Sequence, residues 1–220
     1  MWRLNIRTYA GLMFIAIVLP ILAGCLLGTR TKPTVKEPVP VSGPGAMRLE
    51  EGREGFMIRE VPDMDESSRK DFELAVTMMN EKNYAPAIEL LEKVIERSPG
   101  VTAPYVNLAI AYGNMQKPEQ AEAHLKTALR LFPDHPAASN EYALLCRKAG
   151  RFDEAREVYQ KVITRFPDYY PVRRNLGILC DLYLKDGECA LEQYEIYSAA
   201  WPEDRQVKLW IADLKNRIGR

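Results

Sequence analysis

Net charge is the first thing this 220-residue chain lacks: thirty Lys and Arg stand against thirty Asp and Glu. Without an overall field or a basic face, no nucleic-acid binding is expected. Histidine is scarce as well. His124 and His135 are the two in the chain, and neither has a second ligand at metal-binding spacing, so both are expected at the surface and no metal site is expected. There is no glycine-rich phosphate loop, no nucleophile elbow and no zinc motif. That predicts no catalytic residues, no cofactor and no small-molecule substrate. The one long apolar run, Ala10–Leu27, is interrupted by Pro20 and Gly24 and falls short of the roughly 20 residues that cross a bilayer. What is present, 47% apolar and 27% charged residues, is the composition of an ordinary packed protein.

The N-terminus has its own order. Met1–Tyr9 carries Arg3 and Arg7 and no acid, and Ala10–Leu22 is thirteen residues without charge, followed by small residues. That succession marks a secretory signal; a short, tilted membrane anchor is the alternative. Leu22-Ala23-Gly24-Cys25 resembles the bacterial lipobox. The resemblance implies removal of residues 1–24, a diacylglycerol on the Cys25 thiol and acylation of the new amino group. Each buried methylene is worth about 0.8 kcal/mol, so several chains anchor stably where one binds weakly. Leu26 stands where an Asp would, by the enteric rule, retain the protein in the inner membrane. The expected location is therefore the periplasmic face of the outer membrane, held there by lipid.

Residues 25–66 read as a disordered tether behind that anchor. From Thr29 to about Glu66 prolines 33, 38, 40, 44 and 62 alternate with glycines 43, 45, 52 and 55, and such a stretch buries too little apolar surface to offset its ordering entropy. Phe56-Met57-Ile58 is its one apolar spot and either packs on the following domain or binds a partner.

Beyond the tether the chain repeats. Pro99, Pro133, Pro167 and Pro202 are spaced 34, 34 and 35 apart, and Ala87, Ala121, Ala155 and Ala190 keep the same intervals. Four units follow: Ser68–Val101, Thr102–His135, Pro136–Tyr169 and Tyr170–Asp204. Each has a small residue at its eighth position (Ala75, Ala109, Ala143, Gly177) and an alanine at its twentieth, where two helices must approach closely. Larger apolar residues form the adjoining layer: Leu74, Leu108, Tyr142 and Leu176 on first helices, and Leu91, Leu125, Tyr159 and Tyr194 on second helices. The closing proline ends each unit. With this period and these small residues the chain resembles the tetratricopeptide repeat family. The resemblance implies an all-α, right-handed α-solenoid of four helix pairs over residues 67–204. The fourth unit has one extra residue, assigned to its LKDGE turn. Residues 205–220, with Val207, Trp210, Ile211, Leu214 and Ile218 on one face, read as a capping helix.

The family binds partners on the concave surface lined by first helices, at positions two, five, nine, twelve and thirteen of each unit. Position nine is apolar throughout: Val76, Ile110, Leu144, Ile178. Phe72, Met79 and Val106 extend it at one end, while Asn140, Arg147, Arg174 and Asp181 make the other end polar. The stripe either packs against its own curvature or forms a strip for an extended or helical partner segment. Asn107 and Asn175 occupy clamp-like positions of the chaperone-binding members, but Val106 and Arg174 replace the clamp lysine, so recognition of an acidic C-terminal tail is not expected.

Cys180 closes the first helix of the fourth unit and Cys189 opens the second, so an oxidising compartment would allow a Cys180–Cys189 bridge with Cys146 left free in the core. Three buried thiols are the alternative. Taken together, the sequence predicts a non-enzymatic, lipid-anchored adaptor that holds an envelope protein or peptide segment in its groove. Lipoproteins of this architecture that the resemblance brings in include pilotin-like assembly factors for type IV pili or secretion systems. A regulator of a cell-wall enzyme is the reading from a different class.

Overall fold

A short turn after every apolar stripe dictates helical hairpins, and the computed structural model, which describes residues 46–48, 56–58 and 64–220, has them. The elements are α1 (Glu66–Asn80), α2 (Tyr84–Arg97), α3 (Thr102–Asn114), α4 (Pro118–Leu131), α5 (Pro136–Lys148), α6 (Phe152–Arg165), α7 (Pro171–Ile178), α8 (Gly187–Ala200) and α9 (Arg205–Ile218). The expected signal segment 1–24, Cys25 and nearly all of the expected tether lie outside the described residues. In the stretch expected to be a tether, β1 (Ala46–Arg48) and β2 (Phe56–Ile58) pair antiparallel, Met47 opposite Met57.

Local chemistry sets the helix ends. Asp65 caps α1 by accepting from the Ser68 backbone N–H at 2.8 Å. Asp186 does the same for α8 at 3.1 Å from Cys189 N, and Asp204 for α9 from Gln206 and Val207. Such caps satisfy N–H groups that have no partner within the helix. Pro118, Pro136 and Pro171 sit in the first turns of α4, α5 and α7, where a missing N–H is harmless. The turn inside each unit passes through the left-handed region at Lys82, Gln116, Gly150 and Lys185. His135, expected at the surface, is 2% exposed. Its Nδ1 accepts from Ala138 N at 3.1 Å and so caps α5, while its ring lies edge-on to Phe132. His124 is also half-buried, stacked on Tyr112 with ring centroids 5.3 Å apart, and that burial lowers its pKa.

Each helix packs on its sequence neighbour, and first helices pack on the next first helix. At the hairpin crossings Ala75, Ala109 and Ala143 are buried, as are the four alanines opposite them. In the fourth unit the crossing is closer still: a methyl on Gly177 would stand 2.5 Å from the Tyr194 ring. Leu91, Leu125, Tyr159 and Tyr194 fill the layer on the second helices, none more than 2% exposed. On the first helices Leu108 and Leu176 are buried, but Leu74 is 47% exposed. Leu74 was expected in the same layer. The difference has a plain cause: among the described residues no helix precedes α1 to cover it.

The extra residue of the fourth unit does not sit in the turn. Leu179–Leu184 continues α7 as a π-helical segment, and Lys185-Asp186 is the whole connection to α8. In the other three units a three-residue turn connects the helices, its last N–H bonded five residues back, as Asn83 N to Met78 O. In the fourth, Asp186 N reaches six back to Cys180 O at 2.9 Å. A wider helical turn has absorbed the insertion. Cys180 and Cys189 form a disulfide across this hairpin, with Cα atoms 6.0 Å apart, and Cys146 is free and buried. At the end of the array α9 packs on α8, burying Val207 and Leu214.

Candidate protein-interaction groove

Four half-buried residues, Val76, Ile110, Leu144 and Ile178, run across the first helices α1, α3, α5 and α7 at intervals of one repeat. Phe72 and Met79 are half-buried beside them at the α1 end. Three expected lining residues, Val106, Asn140 and Asp181, are not surface at all. Val106 and Asn140 are each 5% exposed, because adjacent first helices close over the fifth position. Val106 packs into the cluster that includes Ala138 of the next unit. Asn140 accepts from the Asn175 side-chain amide at 2.9 Å and belongs to the wall between α5 and α7.

The charged groups at the polar end of the groove lean on their own chain, although Arg147 Nε and Nη1 and Arg174 Nε are buried without a hydrogen bond. Asp181 is 7% exposed and accepts from Arg217 of α9 at 2.7 Å. Arg174 lies over the Trp210 ring at 5.2 Å with its Nε 3.7 Å from Asp204, and so leans toward the capping helix. Arg147 lays its guanidinium over Tyr183, 5.8 Å from the ring centroid, and Tyr183 in turn meets Phe152. These contacts join the third unit to the fourth, and the fourth to the cap. A cavity of about 480 Å³ lies beside them, lined by Arg174, Asn175, Tyr197, Trp201 and their neighbours.

The middle of the groove is open instead. Between α3 and α5 lies a cavity of about 200 Å³. Ala109, Ile110, Gly113 and Asn114 form one wall, Glu141, Leu144, Leu145 and Lys148 the other, and Ala121 and Leu125 of α4 the floor. For scale, a cavity of roughly 150 Å³ admits a benzene ring. A second space of about 530 Å³ adjoins it, sharing Gly113, Leu145 and Lys148 and reaching Glu119 and Glu122. Burial raises the pKa of Glu141, an effect partly offset by the Asn140 amide and the Lys148 charge. Ile110 and Leu144 are expected here from the sequence; Gly113, Glu141 and Lys148 are not, yet they line the same space. Their signals were present: a glycine at the concave twelfth position, where the other units have Met79, Arg147 and Asp181, and an acid at the sixth position between Asn107 and Asn175.

Cys180, Asp186 and Cys189 bring three potential ligand atoms within 4.8 Å of one another. The sulfurs are bonded to each other, and Asp186 is spent on capping α8 and on Arg156 at 2.9 Å. That cluster therefore serves the fold. Among the described residues no helix is long and apolar enough to cross a membrane.

Residues 71–100 and 106–170 match two family models, both of the tetratricopeptide repeat. Among curated proteins, small glutamine-rich tetratricopeptide repeat-containing protein 2 of Mycosarcoma maydis is 29% identical over 99 residues, 45% of this chain. The intraflagellar transport protein 56 homolog of Caenorhabditis elegans is 36% identical over 67 residues, 30% of this chain. The matches span only 28% and 12% of those two relatives. Among solved structures, Pseudomonas aeruginosa pilF superposes with a TM-score of 0.64 at 23% identity, covering 70% of this chain and 69% of that one. A thermophilic TPR protein of Thermus thermophilus gives 0.60 at 22% identity, covering 68% and 81%. MamA of Desulfovibrio magneticus RS-1 gives 0.58 at 17%, covering 71% and 88%. At these identities the likeness is one of fold.

Proposed function

From the premise that the chain carries tetratricopeptide repeats, we propose that it is a non-enzymatic adaptor, anchored by lipid at Cys25, that holds another cell-envelope protein in its concave groove. Repeats of this kind serve as protein-interaction scaffolds. The observation that carries the reading is the Ile110–Leu144 strip opening on an apolar-walled cavity between α3 and α5. Here apolar wall and floor face an empty space, the form a partner's anchor side chain requires. The anchor half of the reading is supported by the Leu22–Cys25 motif behind its apolar run.

Two experiments test it. Crosslinked pull-down from envelopes should recover a partner with the wild type and lose it with Ile110→Glu/Leu144→Glu, the variant's helicity unchanged. Retention of every partner by the folded variant refutes the groove. Mass spectrometry of the mature N-terminus should find a lipidated Cys25, and an intact, unmodified Met1–Cys25 segment refutes the anchor. A narrower form of the proposal is a pilotin-like assembly factor, which predicts binding to an outer-membrane secretin and loss of surface fibres on deletion. Altered peptidoglycan turnover with fibres intact would instead favour regulation of a cell-wall enzyme.

A further inference from the structure

Of the five glycines from Gly113 onward, four have a structural reason to be glycine. Gly150 and Gly219 hold φ of 78° and 74°, a conformation that strains any side chain. At Gly177 and Gly187 a methyl would come within 2.5 Å of Tyr194 and 2.7 Å of Ile218. Gly113 has neither excuse. It lies in α3 with helical backbone, and a Cβ there would meet nothing within 4 Å. What the missing side chain leaves is space, shared by both cavities beside α3.

That space has a sign as well as a shape. Its walls and floor are largely apolar, but the charged groups around it are Glu119, Glu122, Glu141 and Lys148. Glu122 is already held by Lys126 at 2.9 Å and Arg151 at 3.0 Å. Two carboxylates therefore remain against one ammonium. Glu141 is the more exacting of them: it is desolvated, and the side-chain bond it accepts, from the Asn140 amide, is long at 3.3 Å. A carboxylate set in apolar surroundings favours a cation that brings its own methylene stem. An acidic side chain would face like charge.

We propose that the Gly113 cavity is a socket for a lysine or arginine side chain of the partner segment, its stem against Ile110 and Leu144 and its cationic end on Glu141. The socket rests on the groove reading above, and its failure is separable from failure of the groove.

The test uses the full chain and a phage-displayed library of random dodecapeptides, followed by titration of the selected peptides. The peptides should share a lysine or arginine, and replacing it with methionine should weaken binding about tenfold, the usual scale for a hydrogen bond to a charged group. Gly113→Leu fills the space and should weaken the same peptides at least as much, without lowering thermal stability; Gly113→Ala is the milder second variant. Glu141→Gln should weaken basic peptides and flatten their salt dependence. Selected peptides without a basic preference overturn the socket, as does failure to enrich more on wild type than on Gly113→Leu. Binding that survives Gly113→Leu but not Ile110→Glu/Leu144→Glu overturns the socket and leaves the groove standing. Binding that survives both removes the two together.

Discussion

Gly177→Ala is a one-carbon change whose outcome the packing decides. Placed on the existing backbone, the new Cβ lies 2.5 Å from both Cδ1 and Cε1 of Tyr194 and 3.3 Å from Cγ. The ring is 1% exposed and is backed by Trp210, centroid to centroid 5.5 Å, so it has little freedom to withdraw. Overpacking of a filled core costs about 1–3 kcal/mol. Alanine in place of a helical glycine returns up to about 1 kcal/mol, leaving a net loss on the order of 1–2 kcal/mol. Tyrosine as such is not the obstacle, since Ala143 coexists with the buried Tyr159 one unit earlier; the obstacle is where this ring lies. In units one and two the pairs are Ala75 with Leu91 and Ala109 with Leu125. Gly177→Ala in a Tyr194→Leu background should therefore be neutral or stabilising relative to Tyr194→Leu alone. The assay is a double-mutant cycle by urea unfolding, followed by circular dichroism. With slopes of about 1–3 kcal/mol/M, the single variant should shift the midpoint down by roughly 0.5–1 M. Additive effects, within about 0.5 kcal/mol, would refute the steric account.

The Cys180–Cys189 loop spans nine positions, for which chain entropy predicts about 2.5 kcal/mol; reduction should lower the unfolding midpoint accordingly. Among Cys146, Cys180 and Cys189, thiol titration of the denatured, unreduced protein should find one free. Burial pushes the Cys146 thiol up to about 11 from an ordinary value of 9, so the folded state holds this proton more tightly than the unfolded. Its contribution is complete below about pH 9 and is lost as pH rises toward 11, on the order of 2–3 kcal/mol. Alkaline unfolding curves should flatten in that window in Cys146→Ala, and an unchanged profile would contradict the assignment. Lys82→Gly and Gln116→Gly relieve left-handed backbone and should each stabilise by about 0.5–1 kcal/mol in thermal melts, the strain relieved exceeding the flexibility added. Leu108→Ala should cost about 2–5 kcal/mol, whereas Leu74→Ala, on the uncovered face, should cost less than about 1 kcal/mol. Equal losses would mean that something covers Leu74.

The repeat architecture was legible because it rests on spacing. Alanine at the eighth and twentieth positions reports a helix crossing wherever it recurs, and every recurrence in units one to three is buried as expected. Features that depend on hydrogen-bond register or on neighbouring helices were less visible. LKDGE looks like a longer turn, yet the insertion widened the helix before it, because a π-helical turn hides one residue without changing composition. His135 looked like a surface residue in a proline-flanked turn, since capping signals are usually Asp, Ser or Thr; its buried Nδ1 does that work. Val106 and Asn140 followed the repeat pattern outward, but the pattern does not say how closely successive first helices pack. The candidate socket was hardest to see, being a side chain that is not there.

The two ends of the array are not held alike, and this gives the solenoid a mechanical direction. The last unit is cross-linked by Cys180–Cys189, overlaid by α9 and tied to it through Arg217 and Asp181. The first leaves Leu74 bare, and α1 is held to α2 by the buried Ala75–Ala87 crossing and, at the surface, by Arg97, which reaches Ser67 and Asp71. A pull on the chain upstream of Met64 is delivered to α1, the helix that begins the array. Under load the repeats should peel from that end in sequence, and the Ile110–Leu144 strip should keep its shape until the second unit opens.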